Sequence, residues 1–195
     1  SGDLGAEVVV RACQAALKEN AAVELLLVGD EQELGGHVKR IIGDEPRLQI
    51  VHASEVVEMS DSPIDAMRKK KDSSMRVAIN LVKEGEAAAC VSAGNTGALM
   101  ATAKFVLKML PGIDRPAIVA EIPTLDASMH MLDLGAQMDS RKYNGATLAG
   151  LNGIVIKSHG SADAFAFQHA IDTAIVEVRN QLPQQIGKLL EREAG

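Results

Sequence analysis

Ala87-Ala88-Ala89-Cys90-Val91, then Ser92-Ala93-Gly94-Asn95-Thr96-Gly97, then Ala98-Leu99-Met100 is the stretch that decides the fold. An apolar strand runs into a glycine turn, and a helix follows at once. Such a turn lets backbone N–H groups converge on one spot in the positive end of the helix dipole, which suits phosphate or carboxylate. The plainer alternative is a tight βα turn with Asn95 or Thr96 as N-cap. Geometry alone leaves both open.

Working outward, the same alternation recurs. Ala6 to Lys18 has helical apolar spacing, Val23 to Val28 is an apolar strand closed by Gly29-Asp30, Glu31 to Ile42 is a helix, and Leu48 to Val51 a strand. Met67 to Lys83 carries a third helix, starting near Ser73-Ser74. Thr96 to Leu110 is a fourth, followed by strands over Ala117 to Ile122 and Met129 to Leu134. Strands alternating with helices over short connections predict a parallel sheet with helical crossovers. Ligands on such sheets gather at the carboxyl ends of strands, where Gly29-Asp30, Ser92 to Gly97, Pro123-Thr124 and Asp133 to Gly135 would share one cleft. After Asp139 the texture changes. Ser140 to Gly153 is rich in Gly and Asn, and Ile154 to Ile156 is a short strand. Lys157-Ser158-His159-Gly160-Ser161 then leads into a last helix, Asp163 to Leu182, with Phe167, Ile171, Ile175, Val178 and Leu182 facing the core and Pro183 breaking or kinking it.

Composition narrows the function classes. The 195 residues suffice for one core-bearing domain, and 47% are hydrophobic, but Phe105, Tyr143, Phe165 and Phe167 are the only aromatics. A core of Val, Ile, Leu, Ala and Met fits buried strands under helices. Net charge is −6 and Trp is absent, which disfavours nucleic-acid binding. Cys13 and Cys90 read as reduced, buried small hydrophobes of a cytoplasmic protein. Histidines 37, 52, 130, 159 and 169 are scattered, so no metal site is expected. No apolar run approaches a membrane span, and peripheral membrane contact stays open.

Several residues are candidates for chemistry. Arg68-Lys69-Lys70-Lys71 is the one dense basic run, either a solvated loop or a steering patch for phosphate or an acidic protein. Ser158 to Ser161 repeats the strand-to-helix turn. There His159 is a phosphate donor, a proton-transfer group or a turn residue; Ser161 is an N-cap candidate and Lys157 an anion contact or a rim residue. Asp114-Arg115 either fixes its loop, which its position before a buried strand favours, or binds a carboxylate or phosphate; Asp133 is either an active-site residue or, the favoured reading, an acceptor for loop amides. Neither cysteine has an activating sequence neighbour, and there is no Gly-x-Ser-x-Gly elbow. That pattern agrees with a bound anion as nucleophile, helped by positioning and charge stabilisation.

The chain resembles the PlsX-type family of bacterial acyl-carrier-protein:phosphate acyltransferases. The resemblance rests on Arg68-Lys69-Lys70-Lys71-Asp72-Ser73-Ser74-Met75, Val91 to Met100, Gly112-Ile113-Asp114-Arg115-Pro116-Ala117, Leu132-Asp133-Leu134-Gly135-Ala136, and Tyr143-Asn144-Gly145-Ala146 through Lys157-Ser158-His159-Gly160-Ser161, in the family's order. It implies a mainly parallel α/β/α sheet like that of phosphate acetyltransferases and isocitrate dehydrogenases. It also implies transfer of a long-chain fatty acyl group from acyl carrier protein to inorganic phosphate for phospholipid synthesis, in a cytoplasmic homodimer, with no cofactor. Phosphate would bind at Ser92, Gly94, Asn95, Thr96 and Gly97, with Lys157, His159, Gly160 and Ser161 nearby, and the carrier protein would dock on Arg68, Lys69, Lys70 and Lys71.

Two departures stand out. The family opens on a strand and an Asp-x-Met-Gly-Gly-Asp motif, of which only Gly2-Asp3 match here, after Ser1. The family also has a long middle section between the Leu132 to Ala136 and Tyr143 to Ala146 segments, whereas only Gln137 to Lys142 separate them here. The chain therefore reads as one domain joined from residues 1–139 and 140–195. The catalytic residues the resemblance would supply lie in the absent part.

Overall fold

The computed structural model describes residues 2–123, 128–132 and 144–193. Helix α1 (Gly5–Glu19) precedes β1 (Leu25–Gly29), and α2 (Glu31–Ile41) crosses over to β2 (Leu48–His52). The two strands pair in parallel from Leu25↔Leu48 to Gly29↔His52. Asp30 starts α2 by accepting a hydrogen bond from the Glu33 N–H at 2.9 Å. Glu7 on α1 meets Arg11 and, across the helix pair, Arg40 on α2, each at 2.7 Å. Hydrogen bonds from these two guanidinium groups hold the Glu7 carboxyl down at about 2.

Where one helix is expected over Met67 to Lys83, two form: α3 (Pro63–Lys69) and α4 (Ser74–Glu84). Ser62 caps α3 with Pro63 in its first turn, a start signal that lies upstream of the expected helix. Lys70 leaves the helical region, and Glu55 takes up the intervening backbone: its N–H donates to the Asp72 carbonyl and its carbonyl accepts from Ser74. Ser73 then caps α4, as its position before the apolar stripe predicts.

The remaining elements are β3 (Ala89–Ser92), α5 (Thr96–Leu107), β4 (Ala117–Pro123), β5 (Ser128–Leu132), β6 (Ala146–Ala149), β7 (Ile154–Lys157), α6 (Ala164–Asn180) and α7 (Leu182–Glu193). A five-stranded sheet runs β3-β7-β6-β4-β5. β3 and β7 are parallel, while β7–β6, β6–β4 and β4–β5 are antiparallel. The α/β class and layering agree with the sequence reading, but this sheet is mixed. The reason is connection length, since parallel strands need a crossover of a dozen or more residues, and hairpins form where only a few residues intervene. Gly150, at φ +92°, opens the turn from β6 to β7.

β7 shows the layers. Val155 packs with Leu99, Ala103 and Ile79 of α5 and α4, while Ile154 and Ile156 meet Ala170 and Ala174 of α6. Alternate residues of a strand face opposite sides, so β7 is buried between two helical layers. The last helix is two. α6 ends at Gln181, which takes a left-handed conformation (φ 52°), and Pro183 falls in the first turn of α7, starting a helix rather than breaking one. No described helix is long and apolar enough to cross a membrane. Asp133 to Ala136, the expected join near Asp139-Ser140 and Tyr143 lie outside the described residues.

Candidate functional site at the ends of β3 and β7

Ser92 and Lys157 are the last paired residues of two parallel neighbours, and the Ser158 N–H continues the pairing onto the Ser92 carbonyl at 2.8 Å. The turns 92–97 and 157–161 therefore leave the sheet side by side. The chain start joins them, because the Asp3 N–H donates to the Gly160 carbonyl at 2.8 Å. β4 runs the same way as β7, two antiparallel steps away, so Pro123 ends on this edge. β5 runs the opposite way, so its carboxyl end points to the other edge. The segment after it, Asp133 to Gly135, lies outside the described residues.

The side chains of the first turn mostly build the turn. The Ser92 Oγ accepts from the Gly94 N–H at 3.2 Å. Asn95 is the N-cap of α5, its Oδ1 accepting from the Ala98 N–H at 3.0 Å. Its Nδ2 donates to the carbonyls of Met59 (2.9 Å) and Asp61 (3.0 Å), pinning the loop before α3 beside the mouth. A Cβ at Gly97 would stand 2.8 Å from Pro63 Cγ, so a larger residue would have to displace the start of α3. The first-turn amides of Thr96 and Gly97 have no acceptor among the described residues. These amides, unlike the Asn95 side chain, are left without a partner among the described residues.

The second turn carries the charge. Lys157 is half-buried, and its Nζ donates to the Ser158 carbonyl. Burial lowers its pKa to about 8, opposed by the negative charge of Asp3. Asp3 sits close: its Oδ2 is 3.1 Å from where a Cβ on Gly160 would stand. His159 is exposed, and its Nδ1 accepts from the Ser161 N–H at 3.3 Å and lies 2.8 Å from the Ser161 Oγ. In the neutral ring this places the proton on Nε2, leaving that nitrogen as a donor. Ser161 thus serves His159, and the cap of α6 is Asp163, whose Oδ1 accepts from the Ala166 N–H at 2.9 Å. Asn144, to which sequence reasoning gave no role, is buried under the turn and accepts from the His159 N–H at 2.8 Å.

The basic run lies at the end of α3. Lys70 is spent on Asp61 (2.6 Å) and on the Val56 carbonyl, Lys69 pairs with Asp65 at 2.7 Å, and Arg68 and Lys71 are exposed. Asp114 and Arg115 precede β4, at the edge opposite the mouth; the Asp114 carbonyl accepts from Lys104. Cys13 and Cys90 are buried, and desolvation pushes both thiols up to about 12. They are inert packing groups.

The sequence matches a family model described as fatty acid synthesis protein over residues 1–141 and again over 136–185. The chain belongs to this family. Within it, the chain is 35% identical to the phosphate acyltransferase of Methylococcus capsulatus over an alignment of 319 residues, covering 96% of this chain and 94% of that one. That alignment exceeds the chain's 195 residues, so a large part of it faces gaps here. Over 141 residues it is 57% identical to the phosphate acyltransferase of Legionella pneumophila strain Paris, covering 71% of this chain and 41% of the relative. A Coxiella burnetii phosphate acyltransferase is 55% identical over 148 residues, 73% of this chain and 43% of its own. The family and the acyltransferase class expected from the sequence agree with these names.

Proposed function

We propose that the chain contributes the phosphate-holding mouth of an acyltransferase that moves a long-chain fatty acyl group from acyl carrier protein to inorganic phosphate, giving acyl phosphate for phospholipid synthesis. The observation that carries this reading is the parallel β3–β7 pair, whose turns leave side by side. Amides of Thr96, Gly97 and Gly160, the Lys157 ammonium and the His159 Nε2–H then surround one phosphate. A phosphate oxygen attacks the thioester carbonyl, donors stabilise the tetrahedral oxyanion, and the carrier thiolate leaves and takes up a proton. Arg68, Lys69 and Lys71 offer the acidic carrier a positive approach, while Lys70 braces the loop at Asp61. The setting implied is a cytoplasmic homodimer touching the membrane only peripherally.

The same reading treats residues 1–139 and 140–195 as the two flanks of a longer family sequence. It is supported by a family match that comes in two stretches meeting at 136–141, and by the gapped alignment with the M. capsulatus relative.

Acyl phosphate trapped as hydroxamate decides between the readings. With the intervening section of the family sequence present, acyl carrier protein thioester plus phosphate is expected to give product, and omission of phosphate none. Preference for acyl-coenzyme A would make the protein a phosphate acetyltransferase-like enzyme. Absence of product alongside measurable phosphate binding would make it a non-catalytic binding protein.

A further inference from the structure

We propose that Asn144 is the positioning residue of the turn 157–161, a role that rests on the phosphate reading above. Asn144 is 7% exposed and stands two residues before the start of β6, behind the turn rather than in the mouth. Both ends of its amide are used. The Nδ2 donates to the Ser158 Oγ at 2.8 Å and to the Ala166 carbonyl at 2.6 Å, and the Oδ1 accepts from the His159 N–H at 2.8 Å. Ser158 is itself fully buried. One side chain thereby fastens three elements: the start of β6, the turn after β7, and the first turn of α6.

The consequence for the mouth follows from which groups this consumes. With its N–H bonded inward, His159 turns its ring outward onto Ser161, and the Nε2–H is left to a ligand. The next amide, that of Gly160, has no acceptor among the described residues and completes the anion cradle beside Thr96 and Gly97. The neighbouring glycine makes the approach feasible. Gly145 has φ +116°, and a Cβ there would stand 2.9 Å from the Ala170 Cα, so only glycine lets the chain bring Asn144 this close to α6. Neither alanine nor a carboxylate supplies one acceptor and two donations at this point. The remaining side chains of the turn have other tasks, because Ser161 holds the imidazole and Lys157 holds the Ser158 carbonyl.

The test titrates inorganic phosphate into the 195-residue chain, reading dissociation constants by calorimetry and the His159 ring resonances by NMR. The wild type is expected to bind, with the His159 resonances moving. Asn144→Ala is expected to stay folded by circular dichroism, weaken phosphate by about tenfold, the equivalent of one charge-assisted hydrogen bond, and blunt the His159 response. Ser158→Ala removes a single acceptor of Asn144; it serves as the milder variant and is expected to shift both readouts in the same direction. Ile79→Val, in the core behind α4 and α5, controls for lost packing and is expected to leave affinity within about twofold. If folded Asn144→Ala and Ser158→Ala chains bind as wild type does, Asn144 serves stability alone and the inference falls while the phosphate reading stands. If phosphate leaves the wild-type His159 resonances unmoved, the phosphate reading falls, and this inference with it.

Discussion

Lys157 sits where burial and charge oppose each other, and its pKa of about 8 gives the mouth a pH dependence that an exposed lysine would lack. As pH rises through about 8 the ammonium is lost, so calorimetric phosphate affinity in the free protein should decline across that range. Lys157→Arg should abolish the decline, because a guanidinium stays protonated. Stability moves the other way. The folded pKa lies below the ordinary 10.5, so between these values the unfolded chain binds more protons, and unfolding free energy should increase with pH. An affinity that is flat through this window would show that Lys157 does not touch the anion. Asn95 and Asn144 show the limit of reading residue types. A sequence identifies an asparagine beside a turn but not which partners its amide finds, and both prove to be braces whose acceptors lie tens of residues away.

Helix starts were legible where a capping residue stands directly before an apolar stripe, as at Asp30 and Ser73. They were misread where two candidates stood close together. Ser161 and Asp163 both precede α6, and only Asp163 makes the cap, because the Ser161 hydroxyl is already held at His159. Asp163→Ala should therefore cost about 1 kcal/mol, read as a lower urea midpoint, and Ser161→Ala only a small fraction of that. Equal midpoints for the two variants would overturn the assignment. β6 escaped notice for a different reason: four residues, Ala146 to Ala149, flanked by glycines, carry too little period to register as a strand. The antiparallel turn of the sheet was hidden likewise. Apolar runs announce burial, but strand direction follows from what the connections can span.

At the scale of the whole molecule, the parallel alternation read from the sequence correctly describes both helical layers, yet the described strands form two sheets rather than one. Their coupling depends on helices. α1 lies along α6, and Phe167 and Ile171 of α6 share a core cluster with Val10, Cys13 and Leu27 of α1 and β1. Phe167 is 5% exposed and is the largest side chain at this seam. Phe167→Ala should lower global stability by about 3–5 kcal/mol, since the surrounding helices cannot close over so large a void. The loss should also be uneven. Amides of α1 should exchange faster in hydrogen-exchange measurements while those of β7 keep most of their protection, because β7 is enclosed by its own helices on both faces. Uniform acceleration across α1 and β7 would instead mean that the two sheets open as a single cooperative unit.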